Sequence, residues 1–81
     1  MRKFFIHMEV DGQLQRDDVG ILCDAPELAY MHACQAIPEV AAEMLRRRKD
    51  PMSCSFVIEN INGDEMFRVP FDEVVRTPAH H

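Results

Sequence analysis

Between Asp24 and Arg48 lies the one stretch of this 81-residue chain long enough for a helix of several turns, and its apolar residues keep to one side. On a 3.6-residue wheel Ala29, Ala33, Ala36, Ile37, Val40 and Met44 share a face, while His32, Gln35, Glu39, Glu43 and Arg46 lie opposite. A single striped helix cannot bury itself, so the remainder of the chain must supply the layer it packs on. The start is marked by "DAPE": Asp24 as N-cap, Pro in the first turn, and Glu27 three residues after the cap, in the pattern of a capping box. Pro38 stands inside the stripe, where it removes a backbone hydrogen bond. Because the stripe continues in phase across it, one kinked helix is expected rather than two short ones.

Both flanks read as hairpins. "KFFIHMEV" (residues 3–10) alternates and is rich in aromatic and β-branched side chains. Phe4, Ile6, Met8 and Val10 would face one way and Phe5, His7 and Glu9 the other. Asp11-Gly12 then offers a tight turn. The returning segment "QLQRDDVGILC" is irregular, its polar first half suits an edge strand, and its register stays open. Gly20 marks a bulge or bend in it. After Asp50-Pro51, "SCSFVIEN" and "EMFRVPF" form a second hairpin about Asn62-Gly63, pairing Phe56 with Val69 and Ile58 with Phe67. Cys54 and Phe71 extend that face, and Ser55, Val57, Glu59, Met66 and Arg68 share the other. The order is β-β-α-β-β: an α+β fold, an antiparallel sheet with one helix on one face. A single domain over 1–76 is expected, followed by a tail over 77–81.

Composition narrows the function. The hydrophobic share of 47%, with three Gly and five Pro, argues for a packed domain. No apolar run approaches the ~20 residues of a membrane span, and the opening turns polar without a small-residue cleavage site. A cytoplasmic protein without a membrane role is expected. Cys23, Cys34 and Cys54 have no C-x-x-C spacing and read as reduced, buried thiols; neither metal nor cofactor is implied. The run Arg46, Arg47, Arg48, Lys49 is the candidate anion contact. It also suits the end of a helix, where cations meet the unsatisfied carbonyls, and successive residues fan by ~100° instead of forming one stripe.

"KFFIHMEVDG", "RDDVG", "DAPELAYMHACQAIPEVAAEML" and "FVIENINGDEMFRV" together resemble a family of small bacterial proteins of unknown function. The matching positions are Phe4, Phe5, His7, Asp17, Gly20, Asp24 and the "IPEVA" segment around Pro38. Ile6 stands between the aromatic pair and His7, where the family pattern has none, and "NING" replaces its more usual acidic residue and Ala. The resemblance implies a β-β-α-β-β fold and no particular chemistry. A more distant likeness in element order is to antitoxins carrying a degenerate RNA-binding-like domain.

Three function classes compete. For an enzyme, His7 and Asp17 approach each other across the first hairpin in one register, as a base and its orienter would. The chain has no Ser-centred elbow, phosphate loop or metal-ligand spacing, so an enzyme is not expected. Convergence of His7, Asp17 and an arginine on one cleft would reverse that. Nucleic-acid binding, or an antitoxin-like regulatory role, rests on the Arg run with Arg2, Lys3 and Arg68, against fourteen acids and a net charge of −5. The favoured reading is a non-enzymatic protein-interaction module that self-associates as a homodimer or binds another protein. One helix covers one sheet face, which leaves Phe5, His7, Val57, Met66 and Arg68 as the candidate interaction face.

Overall fold

The computed structural model describes residues 1–75. Its elements in order are β1 (Arg2–Val10), β2 (Gln13–Gln15), β3 (Ile21–Cys23), α1 (Pro26–Arg46), a 3-10 turn (Pro51–Ser53), β4 (Cys54–Asn60), β5 (Glu65–Pro70) and α2 (Phe71–Val75). The α+β architecture expected from the sequence is present. β1 and β4 form the middle of an antiparallel sheet, β5 lies outside β4, and β2 and β3 share the other flank of β1.

The first hairpin departs from a simple return strand. Asp11 (φ 51°) and Gly12 (φ 80°) make a two-residue turn that pairs Val10 with Gln13, the left-handed pair such turns require. β3 pairs Phe4 with Ile21, a register two residues longer. The surplus is the loop Arg16–Gly20, which leaves the sheet beside Phe5, Ile6 and His7. Gly20 (φ 80°) closes that loop against β1: a Cβ there would sit 3.0 Å from the Phe4 carbonyl oxygen and 3.2 Å from the Phe5 ring. Here glycine answers both to the backbone angle and to the close approach.

The helix starts one residue later than the capping-box reading. Ala25 is the N-cap, no side chain caps it, and Pro26 takes the first turn. Asp24 instead offers its backbone carbonyl to Arg2 Nη2 at 3.0 Å. α1 runs unbroken past the exposed Pro38 to Arg46. It then closes through Arg48 N–H to the Leu45 carbonyl (3.0 Å) and Lys49 N–H to the Met44 carbonyl (2.8 Å), with Arg48 left-handed at φ 60°. These are the paired bonds of a Schellman ending, with arginine in the position glycine usually fills.

In the second hairpin Phe56 pairs with Val69 and Ile58 with Phe67, as the sequence indicated. The turn differs: Ile61, Asn62 and Gly63 form a three-residue loop, closed by Gly63 N–H to the Asn60 carbonyl and Asn60 N–H to the Asp64 carbonyl, both 3.0 Å. Glu59 then opposes Glu65, and Met66 becomes the extra residue of a bulge that restores the register. Phe71, read from the sequence as strand, opens α2 instead. Its ring meets Phe56 edge-on at 4.9 Å.

The core lies between the sheet and the two helices: Phe4, Ile58, Val69 and Phe71 with Ala29, Ala33, Ile37, Ala41 and Met44. Each large side chain buried there contributes about 1.5–3 kcal/mol. The alanines let α1 approach the sheet closely. Cys54 is buried, whereas Cys23 and Cys34 are only half-buried, and all three are free thiols. The expected tail over 77–81 lies outside the described residues.

Candidate functional site

The outer face of the sheet, expected to leave Phe5, His7, Val57, Met66 and Arg68 uncovered, is partly closed. His7 and Val57 are buried, at 1% and 2% exposure, and Phe5 is half-buried. His7 therefore leaves the candidate interaction face, and so does Val57. The Arg16–Gly20 loop supplies the reason at His7, because on the side away from β4 neither β2 nor β3 reaches residues 5–7 of β1 and the loop folds over that gap.

Asp17 is the keystone of that loop. Its Oδ2 accepts the Ile6 N–H (3.1 Å), a backbone group an edge strand would otherwise take. Its Oδ1 accepts Val19 N–H (3.0 Å), and Gly20 N–H lies 3.2 Å from both carboxylate oxygens. Burial alone would raise the Asp17 pKa. The backbone donors of Ile6, Gly20 and Val19 outweigh it, and the net value falls below the ordinary carboxylate range.

The Asp17 N–H in turn donates to His7 Nδ1 at 2.9 Å. A ring nitrogen that accepts must hold a lone pair, so the neutral ring carries its proton on Nε2, which faces Glu59 Oε1 at 3.0 Å. Arg16 Nη2 reaches the same oxygen at 3.4 Å, and Phe5 lies parallel to the His7 ring with centroids 6.2 Å apart. His7, Asp17 and an arginine thus do converge. They do so without a cleft, since both ring nitrogens are engaged by protein groups and His7 is sealed from solvent. In this form the group braces the loop on the sheet and offers neither nitrogen to a substrate or a metal. Among the described residues no cluster of three His, Cys, Asp or Glu side chains could hold a metal ion, and no helix is long and apolar enough to cross a membrane.

The other candidates disperse. Arg68 is exposed and tied to Glu9 (2.9 Å) and Glu65 (3.2 Å), so with Arg16–Glu59 the outer face is laced with ion pairs. In the cationic run, Arg46 and Arg47 both bind the Glu43 carboxylate, Arg48 forms the helix ending, and Lys49 lines a groove beside Met8, Val10, Val40 and Met44. The run is the end of a helix first, as its fanned spacing suggested.

One surface was missed at the level of sequence. At one end of the sheet Met1, Leu22, Ile61 and Met66 are 87%, 59%, 72% and 38% exposed. All four line a single hollow together with Phe4, the amides Asn60 and Asn62, and the cations Arg2 and Lys3. Pairing creates it: Lys3 opposes Leu22 on one side of β1, and Phe4 opposes Asn60 on the other, at the start of the Ile61 loop. Met66, the extra residue of the β5 bulge, lines this hollow. Of the five side chains proposed for the outer face it is the one lining this hollow.

A five-stranded antiparallel sheet, a long helix across its inner face and an Asp-tethered loop on its outer face define a small two-layer α+β domain. The chain belongs to the family described as a domain of unknown function, DUF6894, whose model matches residues 3–72. No curated protein and no solved structure matches the chain.

Proposed function

We propose that this chain is a non-catalytic protein-interaction module that docks through the apolar end of its sheet. The observation carrying the reading is the gathering of Met1, Leu22, Ile61 and Met66 around one hollow. Singly exposed apolar side chains are ordinary. A contiguous group of them on a small domain is what interaction sites share. Self-association through the outer face loses support, because two of its five side chains are buried and Arg68 is held in ion pairs. The nucleic-acid alternative gains none, with Arg46 and Arg47 already paired to Glu43.

The test is positional. A photo-crosslinking amino acid placed at Leu22 or Ile61, and for comparison at the exposed Gln35, is irradiated in cells that make the protein. We expect a discrete adduct from the two patch positions and none from Gln35; its mass separates a second copy from another chain. The same adducts from all three positions, or none from any, would overturn the reading.

A further inference from the structure

We infer that the end hollow takes an acidic, amphipathic segment of another protein: apolar side chains for Met1, Leu22, Ile61 and Met66, flanked by carboxylates for Arg2 and Lys3. This rests on the proposed docking surface and adds the chemistry of its occupant. Among the residues lining the hollow, Arg2 and Lys3 are the charged ones, and both are cations, in a chain whose net charge is −5. Arg2 is anchored without being neutralised, since its guanidinium donates to the uncharged carbonyl of Asp24 and lies 5.7 Å from the Phe4 ring centroid. Lys3 Nζ lies 6.0 Å from the Phe5 ring centroid. Asp64, an acid of the adjoining hairpin loop, accepts from Asn60 Nδ2 within that loop. Exposed apolar surface beside two cations that have no carboxylate partner among the described residues is complementary to apolar side chains bordered by acids.

The same charges weigh against two other occupants. A second copy docked patch to patch would bring together two hollows whose charged lining residues are all cations, with no acid of either hollow between them. An anionic bilayer is flat, and polybasic anchors use about 4–8 cations, whereas this site is concave and has two. A protein segment with side chains to insert matches both the shape and the sign.

Two fluorescein-labelled dodecapeptides test this: one of Leu and Glu, with paired leucines flanked by acids, and the same peptide with Lys for every Glu. Anisotropy titrations at low salt should give saturable binding of the acidic peptide, about tenfold tighter than the basic one, the size two exposed ion pairs supply. Arg2→Glu/Lys3→Glu should invert that preference, and Leu22→Glu/Ile61→Glu should remove binding with the far-ultraviolet circular dichroism unchanged. Methyl NMR of labelled methionine should show Met1 and Met66 shifting with acidic peptide while Met8 and Met44 stay in place. Equal binding of the two peptides, binding of neither, or shifts confined to Met8 and Met44 would overturn the inference. So would tighter binding to phosphatidylserine vesicles, or Met1 and Met66 shifts driven by protein concentration alone. Patch-specific crosslinks with any of these failures would leave the docking surface standing and reject only the acidic partner.

Discussion

Ile6 lies where β1 has no strand beside it on the loop side, and its N–H would be stranded there without the Asp17 carboxylate. One side chain thereby stands in for a missing piece of backbone and, through its own N–H, also orients His7. Replacing Asp17 by Asn keeps one acceptor oxygen of two and should cost about 1–3 kcal/mol, the penalty for leaving partly buried donors unsatisfied. The pH dependence follows from the lowered Asp17 pKa. Its stabilisation is fully present above the unfolded value near ~3.9 and is lost as pH falls through the lower folded value. Urea unfolding of wild type and Asp17→Asn between pH 7 and pH 2 should show a gap that closes at the acid end. A gap that persisted unchanged to pH 2 would count against the carboxylate's role. Asp17, Gly20 and His7 stood out in the sequence as a pattern, and the approach of Asp17 to His7 was foreseeable from the hairpin. That the carboxylate would replace a strand was not, because no periodicity encodes a side chain bonding to backbone across a gap.

At the scale of elements, legibility follows periodicity. α1 announces itself because Ala29, Ala33, Ile37 and Met44 repeat at helical spacing and all are buried. β4 and β5 do so because Phe56/Val69 and Ile58/Phe67 alternate on both strands. β2 and β3, three residues each on an exposed edge, have too little burial to impress a pattern on "QLQRDDVGILC". The end hollow was invisible for a related reason, since it depends on which strand ends meet, a matter of register rather than of any one segment. Helix ends are the finest detail and were read least well: Asp24 is not the cap, and the cationic run conceals a left-handed residue. Arg48 at φ 60° adopts a conformation that costs an L-residue about 1–2 kcal/mol, and its exposure gives it no packing to lose. Arg48→Gly should raise stability by about 1 kcal/mol, seen as a higher urea midpoint with unchanged slope, while Arg48→Ala should give no such gain.

Across the whole molecule, the sheet is built from the inside outward in space but not in sequence. Its middle pair joins the first strand to the fourth, with Phe4 opposite Asn60 and Val10 opposite Cys54, so the contacts that define the core have long sequence separation. A fragment of residues 1–53 keeps β1, the Asp17 loop and α1 but lacks the strand that covers β1 on its other side. It should show no cooperative unfolding transition by circular dichroism, and a sharp transition in that fragment would refute the dependence. For a chain leaving the ribosome, the order of events is then constrained. Phe4 and Ile6 emerge ahead of the helix and wait through its entire synthesis before Ile58 and Asn60 arrive to pair with β1. Until they do, the domain is an unfinished half-sheet, the state in which uncovered strand edges need shelter from one another.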